Sequence, residues 1–338
     1  MFPGAPVYTS IYSLEAMPAA YHLWDIRTTW LDRLPGIYRH HQPYLLLYPL
    51  AFGKLELRGY DLVISNKSAF CFGVRIPPGT RHICYCLTPT RYVWDFETYV
   101  EREQVGRAAR RLVRPFLGSL QRWERAAADR VDEFVAISRE IQARVRRCYG
   151  RESVVLYPPV DTKRFAPARN GGHEHYFLIV SRLVPYKRID LAVRAFNDLG
   201  LPLWIGGDGR DRAGLEAMAG PNVRFLGRVP DDELGQLLAH CRAFILPGLE
   251  DFGITPVEAM AAGRPVIAYG GGGALDYVVE GVSGTFFHEQ TPGSLADAVC
   301  RFEQMAFDPT AIRVHADQFD TSVLKSKMWS FIQERMRD

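Results

Sequence analysis

Lysine is scarce in this sequence, with six residues (54, 67, 163, 187, 325 and 327) against 35 arginines among 338. The bias reads as base composition of the genome, so an arginine cluster alone points to no site. Charge of one sign is lacking too: the net charge of +3 excludes the strongly basic nucleic-acid binders. The six cysteines (71, 84, 86, 148, 241 and 300) form no CxxC and no Cys/His spacing. That argues against a disulfide framework or zinc site and fits a reducing compartment. No apolar run has the length of a membrane span, and "MFPGAPVYTS" has no signal-peptide core, so a cytoplasmic protein is expected, with peripheral membrane contact left open. No GxGxxG followed by an acid occurs, which argues against a nicotinamide dinucleotide and an oxidoreductase. Clustered metal ligands are missing as well. Asp231 and Asp232 read as the start of a helix, so neither metal nor cofactor is expected.

What is present is alternation. In the second half, apolar strand runs such as "YFLIVS" (176–181), "LPLWIGG" (201–207), "NVRFLGRV" (222–229), "RAFILPG" (242–248) and "RPVIAYGGGG" (264–273) alternate with helical patterns such as "IDLAVRAFNDL". That predicts a doubly wound parallel α/β domain. The first half repeats the rhythm less cleanly, with strand candidates at 6–12, 24–30, 60–66, 82–88, 133–138 and 153–158. "PARNGGHEH" (167–175) has no periodicity and reads as a linker. The expected division is residues 1–166, residues 167–320, and a closing helix over 321–338 that packs on either domain. Two Rossmann-like halves facing each other would make a cleft between domains, with ligands beyond the carboxyl ends of the strands.

The loops at those ends carry the chemistry. In "LPGLEDFGITPVEAMAAG" (246–263), Thr255, Pro256 and Glu258 read as N-cap, N1 and N3 of a helix, a capping box. That leaves Glu250 without a structural duty. It also leaves Gly253, where the backbone can approach a ligand. A helix N-terminus suits phosphate, and a carboxylate beside it suits sugar or ribose hydroxyls. In "SRLVPYKRID", Arg182 and Lys187 follow a strand and precede a helix, a pairing suited to a diphosphate whose charge grows as it departs. The alternative for each is a solvated loop charge. "YGGGGALDYV" (269–278) is a glycine-rich strand-to-helix junction, weak on its own.

Taken together, Glu250 and Glu258 with "FGI" between them, "SRLVPYKR", "IGGDG", "FLGRVPDDEL", "MAAGRPVIAYGGGGALDYV" and "GVSGTFF" resemble the family 4 glycosyltransferases of the GT-B fold. The resemblance covers 154–305, and "YDLVISN", "CYCLTPTRYVWD" and "VDEFVAISREIQARVRRCYGRESVVLYPPVDTKRF" extend it toward the branch that builds bacterial polysaccharides, mannosyltransferases among them. It implies a retaining, metal-independent hexosyltransferase. Arg182 and Lys187 would hold the donor diphosphate. Glu250 would bind the transferred sugar, with the backbone of Phe252, Gly253 and Ile254 beside it and Thr255 at the helix start. Glu258 would bind the ribose, and Arg228 and Val229 would lie along the base. GDP-mannose is the first expectation for the donor and a UDP-hexose the second. The acceptor would be a saccharide, free or lipid-linked at the inner face of the cytoplasmic membrane.

The sequence departs from the family in two places. Leu87 in "CYCLTP" stands where many relatives have histidine. Thr88, Arg91, Tyr92 and Asp95 remain acceptor-side candidates, the alternative being residues that pack the domain wall. The family also opens with a strand, a glycine-rich loop and a helix, whereas "FPGAPVYTSIY" resembles the stretch that comes after that unit; about 25–40 upstream residues are expected on ordinary βα lengths. A catalytically inactive GT-B scaffold is therefore the second expectation. Residues 101–125, with Arg107, Arg110, Arg111 and Arg114 on one helical face and Val105, Ala109, Leu112 and Phe116 on another, suggest a membrane-surface helix. A solvated helix packed on its own domain is the other reading.

Overall fold

The computed structural model describes residues 1–39, 42–97, 100, 106, 110–111, 114–168 and 173–337. The chain forms two compact units: residues 1–137, 141–156 and 329–338 make the first, and residues 138–140 and 157–328 the second. The division at 156/157 precedes the expected linker at 167–175, of which 169–172 lie outside the described residues. The segment after 156 is held by the second unit's own groups. Tyr157 stacks on Phe252 with ring centroids 5.7 Å apart, Val160 N–H donates to Phe319 O at 3.1 Å, and Thr162 Oγ1 donates to Asp320 at 2.9 Å.

In the first unit, β1 (Val7–Thr9) pairs in parallel with β2 (Ile26–Thr28). A separate parallel sheet runs β3 (Leu62–Lys67), β4 (Arg81–Cys86), β5 (Glu133–Ala136), β6 (Val154–Val155), in that order. The helices are α1 (Tyr48–Phe52), α2 (Arg91–Trp94), α3 (Leu117–Ala128) and α4 (Arg139–Tyr149), the last from Ile141 onward. The strands fall at their expected segments, with β3 running one residue past its own to Lys67 and β4 starting one residue before its own at Arg81. No ladder joins β1 to β3 among the described residues. A cavity of about 440 Å³ lies there, lined by Val7, Phe52, Leu62, Ile64 and Val74 and by no charged side chain.

The interior of this unit holds an ion pair. Lys67, with no exposed surface, donates to Thr88 O (3.2 Å) and Thr90 Oγ1 (3.3 Å), lies 4.0 Å from Glu124, and sits 4.6 Å from the Phe72 ring centroid. Glu124 accepts from Thr90 Oγ1, from Trp94 Nε1 (2.5 Å) and from Tyr149 OH (2.7 Å). A buried charge pair persists only when its remaining lone pairs and protons are bonded, as they are here. The network fastens residues 88–94 to α3.

Of the expected membrane-surface helix over 101–125, residues 101–105, 107–109 and 112–113 lie outside the described residues. From Leu117 the chain is α3, whose Leu120, Glu124 and Ala127 are buried in this unit. Arg114 pairs with Glu97 at 3.4 Å, and Arg110 bonds to Val100 O at 2.9 Å.

The second unit is one six-stranded parallel sheet, ordered β12, β11, β10, β7, β8, β9. Its strands are β7 (Phe177–Val180), β8 (Leu203–Gly206), β9 (Val223–Gly227), β10 (Phe244–Leu246), β11 (Val266–Tyr269) and β12 (Gly284–Phe287). Between them run α5 (Ile189–Leu199), α6 (Arg212–Met218), α7 (Asp231–His240), α8 (Ile254–Ala261) and α9 (Ala274–Tyr277). After β12 come α10 (Pro292–Phe302), α11 (Pro309–Ala316) and α12 (Thr321–Arg335). Residues of α12 from Trp329 onward belong to the first unit, where Arg335 pairs with Glu133 at 2.8 Å.

The central strands are buried on both faces, which is why they read as unbroken apolar runs. Phe177, Ile179, Phe196, Ile205, Ile245 and Phe302 form their core. Strand order runs outward from β7 through β8 and β9, then resumes on its other side with β10. The reversal falls between β7 and β10, paired at Leu178 and Phe244. Ligands of such sheets bind beyond the carboxyl ends of the strands at that reversal.

Candidate functional site

Both strands at the reversal end in short loops that the sheet draws together. After β7 the chain passes Arg182, makes a 3₁₀ turn over Pro185–Lys187, and enters α5 through Arg188. Arg188 has φ 54° and ψ 35°, and no other non-glycine described residue has positive φ. Such a conformation is unfavourable by about 1–3 kcal/mol and persists only where its surroundings hold it. Here Arg188 Nε bonds to Asp190 Oδ1 at 3.1 Å. After β10 comes Gly248, where an added Cβ would stand 2.8 Å from Lys187 O. Glycine therefore permits the contact between the two loops.

The product of that contact is an ion pair between Lys187 Nζ and Glu250 Oε1, with side chains 20% and 13% exposed. Tyr186 lies between the cations. It accepts from Arg182 Nη2 at 2.6 Å, and its ring centroid is 5.3 Å from Lys187 Nζ. Arg182, Lys187, Glu250, Gly253, Ile254 and Thr255 line one cavity of about 190 Å³. The larger cavity of the first unit has no such chemistry, so the smaller one is the candidate site.

The capping box is overturned. Helix α8 starts at Ile254, its N-cap is Gly253 with φ 97°, and no side chain caps it. Thr255 is thus inside the first turn, and Glu258 sits too far along to reach back to the N-cap. The consequence is chemical: no side chain caps the amino end of α8, and Gly253, Ile254 and Thr255 at that end line the cavity. Glu258 lies one turn further on, outside that lining. Burial raises its carboxyl pKa above the ordinary value, with Asp231 adding to the rise and Arg164 opposing it.

The remaining predicted residues are spread out. Phe252 is buried, with its ring edge-on to Tyr277 at 5.3 Å. Arg228 is exposed just past β9, and Val229 covers Gly206 at the end of β8. Thr88, Arg91, Tyr92 and Asp95 belong to the first unit. Thr88 is buried and accepts through its carbonyl from Lys67, Tyr92 packs edge-on to Phe70 at 5.8 Å, and Asp95 is exposed at the end of α2. Sequence reasoning missed Tyr186, Gly248 and Tyr277. All three stand inside the quoted motifs; the first two were readable as the residue between two cations and as a loop glycine, whereas nothing local marks the Tyr277 hydroxyl as unpaired. Among the described residues no three His, Cys, Asp or Glu are grouped to hold a metal ion, and no disulfide joins any of the cysteines.

Comparison with known proteins fits this geometry. The family model described as Glycosyltransferase Family 4 matches residues 9–164, and that described as Glycosyl transferases group 1 matches residues 160–313. The chain belongs to the family 4 glycosyltransferases and has their α/β GT-B fold. It is 33% identical over 184 residues to a GDP-mannose-dependent α-(1-6)-phosphatidylinositol monomannoside mannosyltransferase of Mycolicibacterium smegmatis, covering 46% of this chain and 48% of that protein. To an uncharacterized glycosyltransferase of Methanocaldococcus jannaschii it is 27% identical over 173 residues, covering 50% and 48%. The chain thus spans about half the length of the curated relatives it matches. Among solved structures, sucrose-phosphate synthase from Thermosynechococcus elongatus superposes with a TM-score of 0.72 at 17% identity, covering 99% of this chain and 89% of that one. Anabaena HepE in complex with UDP and glucose gives 0.55 at 22% identity, covering 63% and 67%.

Proposed function

We propose that this chain transfers a hexose from a nucleoside-diphosphate sugar to a saccharide or lipid-linked saccharide, retaining anomeric configuration and using no metal. One observation carries the reading: two cations, one acid and the N-terminus of α8 line a single cavity at the strand-order reversal. A diphosphate there meets Arg182, Lys187 and the first-turn N–H groups, and the sugar hydroxyls meet Glu250. As the bond between the anomeric carbon and the phosphate oxygen breaks, negative charge gathers on the diphosphate, and the same groups stabilise it. The acceptor hydroxyl adds to the anomeric carbon from the same face, and its proton passes to the departing phosphate oxygen.

Mannose from GDP-mannose is favoured because relatives of this chain are named for that donor. A UDP-hexose is second, since HepE was solved with UDP-glucose. Thr88, Arg91, Tyr92 and Asp95 are assigned to the acceptor side, and Glu258, Arg228 and Val229 to the nucleoside. The protein is assigned to the cytoplasm and the inner face of the membrane; no helix among the described residues is long and apolar enough to cross one.

A panel of GDP- and UDP-sugars, assayed for nucleotide release with and without saccharide acceptors, tests the reading. Lys187→Ala and Glu250→Ala should each lower turnover by about 100-fold or more, the scale of removing a preorganised charged partner. Wild-type rates in either variant with every donor would refute the assignment.

A further inference from the structure

Tyr277 ends α9, has no exposed surface, and packs edge-on against Phe252 at 5.3 Å and Phe319 at 6.4 Å. Its backbone carbonyl is well used, accepting from His315 Nε2 at 2.8 Å and Ser283 Oγ at 3.2 Å. Its hydroxyl finds no hydrogen-bond partner among the described residues. A buried unpaired hydroxyl is destabilising, and phenylalanine would make the same ring contacts without it. The position of this oxygen is therefore informative. It stands 2.9 Å from where a Cβ on Gly253 would be, directly behind the residue that opens α8 and lines the cavity. Burial, then the nearby charges of Glu250 and Asp276, hold the phenol protonated and thus a donor.

Glu250 has a matching need. Its partner is Lys187, and both are largely buried. A diphosphate entering the cavity competes for Lys187, and a buried carboxylate stripped of its partner is strongly destabilised. We propose that Tyr277 is a positioning residue whose hydroxyl donates to the Glu250 carboxylate when Lys187 turns to the diphosphate. For the two groups to meet, the 250–253 segment must turn about Gly253. This inference rests on the function proposed above and adds a residue that neither the motifs nor the relatives single out.

The test is a double-mutant cycle on the full chain with Tyr277→Phe, Glu250→Gln and both, using GDP, UDP and their sugars as probes in calorimetric titrations, with thermal melts of each free protein. The expected result is a Tyr277→Phe protein that melts at or above the wild-type temperature yet binds its preferred nucleotide about tenfold more weakly. In the Glu250→Gln background, where the acceptor is a neutral amide oxygen, the Phe substitution should cost clearly less. A lower melting temperature for Tyr277→Phe would mean the hydroxyl is already bonded in the free protein and would overturn the proposal. So would wild-type affinity in Tyr277→Phe, or an equal loss in both backgrounds. If the wild type binds none of the probes, the functional reading falls and this inference with it; if it binds and only the cycle fails, the functional reading stands alone.

Discussion

His82 makes the stability of the first unit depend on pH. It lies on β4 with no exposed surface, Nε2 is 3.0 Å from Ser65 Oγ, and its ring Nδ1 has no partner among the described residues. Burial lowers its pKa from 6.5 to about 4; Asp132 pulls it up and Arg130 down, and neither outweighs desolvation. The unfolded imidazole takes a proton near pH 6.5, whereas the folded one resists until about 4, so acid favours unfolding. The contribution is whole above pH 6.5 and is lost as pH falls toward 4. At ~1.4 kcal/mol per pH unit, it amounts to about 3 kcal/mol across that window. Urea unfolding followed by tryptophan fluorescence reads it, because Trp24, Trp30, Trp94, Trp123 and Trp329 belong to this unit and only Trp204 to the other. Other groups titrate in the same range, so the informative quantity is wild type minus His82→Gln. That difference should be flat from about pH 8 to 7 and fall by about 3 kcal/mol by about pH 4. A difference constant with pH would refute the claim that this imidazole is buried neutral.

Lys67→Met should destabilise the protein by about 3–5 kcal/mol, because it leaves the Glu124 charge buried with neutral donors alone; Lys67→Met with Glu124→Gln should recover more than half in the same urea assay. Glu258→Gln should raise the melting temperature at about pH 7.5, since burial raises this carboxyl and ionising it opposes folding. The gain should vanish below the unfolded carboxyl pKa, near pH 4, and a variant less stable than wild type at both pH values would count against a desolvated carboxylate.

The second unit was legible because its strands are buried on both faces, so "FLIV" and "VIAY" announce themselves without knowledge of their neighbours. β1 and β2 are three residues each, and nothing in their local pattern shows that they form a sheet apart from β3. The misread helix start has a specific cause. Thr255, Pro256 and Glu258 match a capping box letter for letter, but the left-handed glycine at 253 begins the helix at Ile254, ahead of the pattern. The motifs put Lys187 and Glu250 at opposite ends of a ligand. Their pairing with each other depends on how closely two loops approach at Gly248, which is a property of strand order. The Lys67–Glu124 network was invisible for the same reason: each residue looks like a surface charge until β3 and α3 are packed together.

Several locally unfavourable features of the second unit lie around the candidate site. Arg188 is left-handed, Gly253 has φ 97°, the Tyr277 hydroxyl is unpaired, and Glu258 is desolvated. They flank the loops after β7 and β10, above a buried apolar core. Proteins retain such departures where the surrounding structure overrides them and function uses them. Their common sense is electrostatic. Arg182 and Lys187 contribute two positive charges, Glu250 removes one, and the amino end of α8 adds about half a charge, leaving the cavity positive by roughly 1.5 charges. The Lys187–Glu250 bond is the internal compensation available in the free protein, and it uses the very groups a diphosphate and a sugar would separate. Charge of this size at a partly exposed site is screened by salt. Nucleotide affinity should therefore weaken as ionic strength rises, most of all for the free diphosphates, and an affinity indifferent to salt would mean that the cavity does not hold the phosphates at all.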